Sequence, residues 1–188
     1  NANPQVVSHV KKSVFPRVEK LLLSPLLDKT SVGAVHEFFK QLAMLESKGF
    51  GFAFLTGALA SLSDSADEKS IHVFENTGSC AAAVLLGTSQ DNAVKGVKKF
   101  CKGAGAKSVK TVLYCLYTLG EMGRRTDISE YGKDIENVIV EALNHENAEV
   151  RKGASYSIGS IAIGNLSKYL SFILNHMKSN PNLQYLLL

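Results

Sequence analysis

The sequence predicts an all-α protein, an α-solenoid of HEAT repeats, and three observations support this. Apolar residues recur at helical spacing, whereas no convincing alternation of apolar and polar residues indicates a strand. The helices come in short-then-long pairs joined by turns. An aliphatic residue followed by glycine recurs late in the second helix of a pair, at Gly87, Gly120 and Gly159. We therefore expect antiparallel helix pairs stacked in a right-handed superhelix.

The clearest predicted helix starts after Asn147 and ends at Gly164. One face carries an apolar stripe at i, i+4, i+7, i+8 and i+11, on which we expect Ala154 to be buried. A shorter helix over 133–143 precedes it. The turn between them, residues 144–147, leaves room only for an antiparallel return.

The same pairing is predicted along the chain. The predicted pairs are 14–23 with 31–46, 50–62 with 70–86, 91–102 with 108–122, 133–143 with 148–164, and 166–178 with a helix near residue 182. Pro16 either opens its helix as the first helical residue or kinks one longer helix, and we favour the first alternative because a missing N–H costs least there.

The spacing of the repeats favours the HEAT class. The aliphatic-glycine pairs lie 33 and 39 residues apart, and the chain contains neither Trp nor the T-P-L-H string of ankyrin repeats. We therefore expect one array of about four and a half repeats, cut from a longer protein. Its approximate bounds are 4–47, 50–88, 91–124, 132–165 and 166–188.

Composition and motifs disfavour several classes of function. The three cysteines form no C-x-x-C pair, the five histidines are scattered, and the glycine clusters at 49–51 and 103–105 follow no strand and precede no Gly-Lys-Ser/Thr. We therefore expect no catalytic site, cofactor, metal or small-molecule substrate. The apolar runs are too short to span a bilayer. Because the three cysteines suggest no disulfide framework, a reducing compartment is the simpler interpretation.

Charge is unevenly distributed. The net charge of +4 conceals +7 between residues 95 and 125 and −6 between residues 126 and 149. Four of the basic residues fall on one face of the helix predicted over 91–102, and we name them the lysine stripe: Lys95, Lys98, Lys99 and Lys102. The stripe is either a solvated outer face, a docking surface for an acidic protein, or a nucleic-acid contact. Nucleic acid is the least favoured of the three, because only Phe100 lies near the stripe as an aromatic platform.

Solenoids commonly bind partners along the ridge of their second helices. Basic and aromatic residues on the predicted ridge make five candidate partner-binding residues: Lys107, Lys110, Tyr117, Lys152 and Tyr156. For the tyrosines, packing between repeats is an equal alternative.

Specific strings carry a family resemblance. Ala154-Ser155-Tyr156, Ile158-Gly159-Ser160-Ile161, Gly164-Asn165-Leu166 and Gln184-Tyr185-Leu186 are similar to the cullin-associated, neddylation-dissociated protein family, also called TBP-interacting proteins. Ser24-Pro25-Leu26-Leu27, Phe38-Phe39 and Leu119-Gly120-Glu121-Met122-Gly123 resemble the same family in the same order.

The resemblance implies a segment from the C-terminal half of a long HEAT-repeat protein of the cytoplasm and nucleus. Such a protein wraps an unmodified cullin–RING complex and promotes exchange of substrate receptors, without catalysis of its own. The implied partner is a cullin–RING complex, with TBP as a further possibility through the family's second name. The alternative is a HEAT adaptor of another class, which binds a transcription factor or acts in nuclear transport.

Overall fold

The computed structural model describes residues 3–25, 27–45, 50–181 and 185, and the fold is all-α with no strand in these ranges. This confirms the predicted helical repeat fold. The α-helices are α1 (Pro4–His9), α2 (Phe15–Leu22), α3 (Lys29–Met44), α4 (Phe52–Ser65), α5 (Ile71–Gly87), α6 (Gln90–Ala104), α7 (Val109–Arg125), α8 (Gly132–Leu143), α9 (Ala148–Gly164) and α10 (Leu166–Ser179). A short 3₁₀ turn, Ser129–Tyr131, precedes α8.

The predicted helix bounds agree closely with the observed ones. The helix predicted over 133–143 is α8, and the one predicted over 166–178 is α10. Side-chain caps explain where several helices begin. Asn147 accepts hydrogen bonds from the backbone N–H groups of Glu149 and Val150 at 2.8 and 3.4 Å, and so starts α9. The helix expected near residue 182 lies outside the described residues.

The favoured placement of Pro16 as the first helical residue was wrong, and the segment is one longer helix, as in the alternative. Pro16 is the second residue of α2, and α1 continues into α2 through a π-helical turn, Val10–Val14, in which the Phe15 N–H reaches the Val10 carbonyl. Proline cannot donate a helical hydrogen bond, and its ring crowds the preceding turn. The wider π turn accommodates both effects, so the segment stays helical without a break.

The chain divides into two compact units, residues 1–96 and 97–188. In the first unit α5 packs against α3 and α4. The rings of Phe15 and Phe39 meet edge to face at 5.7 Å. A buried hydrogen bond of 2.7 Å joins the hydroxyls of Ser63 and Thr77. The single array and its right-handed superhelix stay predictions.

In the second unit α9 is the helix against which α7, α8 and α10 pack. Its predicted apolar stripe faces this core, and Ala154 is fully buried as expected. The hydroxyl of Ser157 is also buried and lies 2.7 Å from the Leu116 carbonyl of α7, and equally far from the Gly153 carbonyl of its own helix. A direct bond to a carbonyl of the neighbouring helix requires the two backbones to lie very close.

Glycines make that close approach possible. A Cβ atom at Gly120 would lie 2.9 Å from the Cα of Ser157, and one at Gly123 would lie 2.6 Å from the Cγ1 of Ile161. Gly164, at the end of α9, likewise abuts the carbonyl of Gly123. Residues of α7 meet residues of α9 in ascending order, so the two helices run parallel. The second helices of neighbouring pairs therefore stack directly on each other.

Adding one methyl group at two glycines should have opposite effects. Gly123→Ala forces a carbon against Ile161, and we expect a loss of about 1–3 kcal/mol in the free energy of unfolding. Gly159→Ala, on the exposed side of α9, meets no atom within 4 Å and should stabilise the helix by about 1 kcal/mol. Urea unfolding of both variants measures this. A shift of the same sign in both would contradict the close packing.

Candidate functional site

The best-defined polar cluster lies where the α7 and α9 faces meet. The rings of Tyr117 and Tyr156 are 4.9 Å apart in a tilted arrangement. The Tyr156 hydroxyl donates a hydrogen bond of 2.6 Å to the Oε1 atom of Glu121. The sequence-predicted tyrosines are therefore brought together, across 39 residues of chain.

Glu121 is the charged centre of this cluster. Its side chain is only 8% exposed, and the guanidinium of Arg125 pairs with it at 3.0 Å while the Nε of Arg124 lies 3.5 Å away. A buried carboxylate needs such partners, because an unpaired charge in a protein interior is strongly destabilising. The two arginines sit three and four residues after Glu121, so one turn of α7 supplies both.

Arg124 extends the cluster to the surface. Its side chain is 44% exposed, it donates a hydrogen bond of 3.1 Å to the Ser160 hydroxyl, and its guanidinium carbon lies 5.7 Å from the centre of the Tyr156 ring. Cation–π contact and the hydrogen bond fix the guanidinium above the tyrosine. An exposed cation over an aromatic ring is a common anchor for a protein partner.

The five predicted partner-binding residues are placed differently. Lys107 and Lys152 are exposed, Lys110 and Tyr156 are half-buried, and Tyr117 is only 3% exposed. The Tyr117 ring is thus buried between α7 and α9, as expected if it packs between repeats. Lys152 forms an ion pair of 2.9 Å with Glu149, one turn earlier on α9. Partner contact through these residues stays a prediction.

Sequence reasoning missed the roles of Glu121, Arg124 and Ser160. The i+3 and i+4 spacing of Arg124 and Arg125 after Glu121 was a visible signal for ion pairing within one helix. No comparable signal linked Glu121 to Tyr156, or Arg124 to Ser160, since those contacts depend on the register of α7 against α9.

The described residues hold no group of three or more His, Cys, Asp or Glu side chains able to bind a metal ion. No helix in the described ranges is long and apolar enough to cross a membrane. The cysteines Cys80, Cys101 and Cys115 are buried free thiols. Burial raises the pKa of Cys115 to about 12, and burial together with the nearby Asp134 carboxylate raises the pKa of Cys101 to about 11. Both thiols are therefore protonated at neutral pH.

The sequence of the chain was compared with profiles of known protein families and with known proteins. No profile of a known protein family matches the chain. Cullin-associated NEDD8-dissociated protein 1 of Arabidopsis thaliana, however, is 31% identical over 185 residues, which are 95% of this chain. The chain belongs to the cullin-associated NEDD8-dissociated protein family. The resemblance predicted from the strings is thereby confirmed.

Other members of the family match equally widely. Cullin-associated NEDD8-dissociated protein 1 of Dictyostelium discoideum and protein 2 of Mus musculus are each 26% identical over 98% of this chain. The chain spans about 15% of the length of the Arabidopsis relative and of these two. The similarity therefore concerns one segment of each relative.

The thiol pKa values predict slow alkylation of the folded chain. At pH 8 a thiol with a pKa of about 12 has about 1,000-fold less thiolate than one at the ordinary value of 9.0, and only the thiolate reacts. We expect iodoacetamide to modify Cys115 only after unfolding in guanidinium chloride, as measured by mass spectrometry of its peptide. Equal rates in the folded and unfolded chain would contradict the buried position of Cys115.

Proposed function

We propose that the chain is a non-catalytic, protein-binding segment of a cullin-associated regulator, and that it contacts a cullin through the exposed face of α9. The observation that carries this proposal is the similarity over 95–98% of the chain to proteins named for cullin association. An all-α repeat fold supports it, because stacked helices offer extended surfaces for large partners.

The exposed face of α9 has the character of a binding surface. Lys152, Tyr156, Gly159 and Ile163 follow one another at i, i+4, i+7 and i+11, and so lie along one side of the helix. Ile163 is 63% exposed, so the ridge offers an apolar side chain to a partner. We name these four residues the α9 ridge.

The polar cluster around Glu121 fixes the side chain of Tyr156, which belongs to the α9 ridge. Tyr156 is fixed by its hydrogen bond to Glu121 and by the ring of Tyr117, and the guanidinium of Arg124 lies over the Tyr156 ring. A side chain that is already held in place loses little conformational freedom on binding. Tyr156, held under Arg124, and the exposed Ile163 two turns further along α9 therefore supply the proposed contact residues.

The finer role that we propose follows the family. The whole protein wraps a cullin–RING complex that lacks its ubiquitin-like modification and promotes exchange of substrate receptors. This segment contributes one stretch of the contact surface and performs no bond chemistry. The acidic and basic stretches of the chain suit a large partner with its own distribution of charge.

A binding measurement with surface variants tests this proposal. The chain is titrated against an immobilised, unmodified cullin–RING complex, and Lys152→Glu combined with Ile163→Asp should weaken binding by about tenfold or more, as expected for loss of central contacts. Both side chains point to solvent, so the fold should persist, which circular dichroism checks.

A matched control lies on α2. Lys20→Glu combined with Leu21→Asp makes the same change of charge and polarity at exposed positions and should leave binding within about twofold of the original chain. No binding by the folded, unsubstituted chain would contradict the proposed cullin contact. Equal loss in both double variants would contradict the α9 ridge as its location.

A further inference from the structure

The lysine stripe lies on α6 and is an uncompensated cationic surface. All four lysines are exposed. Within the described residues, none of their ammonium groups has a carboxylate within 4.0 Å. The single acid of the helix, Asp91, lies near its N-terminus. Because like charges at i, i+3 and i+4 repel each other, the stripe weakens α6 as long as nothing covers it.

The opposite face of α6 fixes the stripe in place. Val97, Phe100, Cys101 and Ala104 are buried, and the ring of Phe100 meets that of Tyr114 edge to face at 5.6 Å. These buried side chains hold α6 with its opposite face, which carries the four lysines, towards solvent. The stripe therefore presents a fixed pattern of four positive charges at i, i+3, i+4 and i+7.

The dimensions of the stripe favour a short acidic segment of a protein. Seven residues of helix span about 10 Å, or two turns. Carboxylates at i, i+3, i+4 and i+7 of a partner helix cover the same length and follow the same spacing as the four lysines.

Aromatic residues point to the same choice. Single-stranded nucleic acids are generally held by bases stacked on exposed rings. The aromatic residue of α6, Phe100, is only 2% exposed and already packs against Tyr114. The stripe therefore has positive charge but no exposed aromatic ring of α6 on which a base could stack. Carboxylates along a partner helix can match the i, i+3, i+4 and i+7 spacing of its lysines.

We propose that the lysine stripe docks an acidic helical segment of a protein partner, whose carboxylates pair with Lys95, Lys98, Lys99 and Lys102. This surface lies on a different helix from the α9 ridge, and its test does not involve a cullin. The failure of either proposal therefore leaves the other standing.

The probe is a fluorescein-labelled helical peptide with glutamates at i, i+3, i+4 and i+7. Fluorescence anisotropy at low ionic strength should show binding to the chain, and added salt should weaken it because ion pairs at a surface are screened. Lys98→Glu combined with Lys102→Glu should raise the Kd by about tenfold or more, since it replaces two attractions with two repulsions.

The control variant is Lys20→Glu combined with Lys69→Glu, which changes the net charge equally at two exposed lysines of other parts of the chain. Its Kd should stay within about twofold of the original value. Three results would overturn the proposal: no peptide binding at low ionic strength, equal loss in both double variants, or tighter binding of a short DNA duplex than of the peptide.

Discussion

Helices α7 and α9 approach each other backbone to backbone, because glycines leave out the side chains that would separate them. At Gly120 and Gly123 of α7, and at Gly164 of α9, an added Cβ would strike atoms of the neighbouring helix. The resulting distance is short enough for the Ser157 hydroxyl to reach the Leu116 carbonyl. Packing of α8 and α10 in residues 97–188 then builds on α9, so this contact supports the whole unit.

The same approach creates the surface that we assign to partner binding. It places Tyr156 against Tyr117 and brings its hydroxyl to Glu121, which lets a carboxylate stay buried beside two arginines. Because burial of an ion pair costs desolvation, such a cluster adds little net stability. Its contribution is to fix the geometry of Tyr156 and Arg124 at the edge of the exposed α9 ridge.

The helical repeat could be predicted from the sequence because it depends on patterns of neighbouring residues. Caps such as Asn147, the apolar stripe with Ala154, and the spacing of 39 residues between Gly120 and Gly159 are all visible in one dimension. In the structure Gly120 lies against Ser157, two residues before Gly159. The spacing of the aliphatic-glycine pairs is therefore within two residues of the offset at which α7 and α9 pack. Sequence patterns did not decide between the two alternatives for Pro16, because no local signal marks the π turn that lets the helix continue past the proline.

The polar cluster could not be predicted because it depends on the rotation of one helix against another. An error of one residue in register turns a helix by about 100°, enough to separate Tyr156 from Glu121. The exposed or buried state of Tyr117 depends on the same rotation. The sequence therefore leaves both alternatives for the tyrosines open.

Hydrogen exchange tests the dominance of the α7–α9 contact most directly. In residues 97–188, amides of 112–123 and 153–162 should exchange slowest, at rates set by unfolding of the whole unit, while amides of α10 should exchange sooner through local opening. Mass spectrometry of peptides from the intact chain provides the rates. Exchange of α7 as fast as that of α10 would contradict the account.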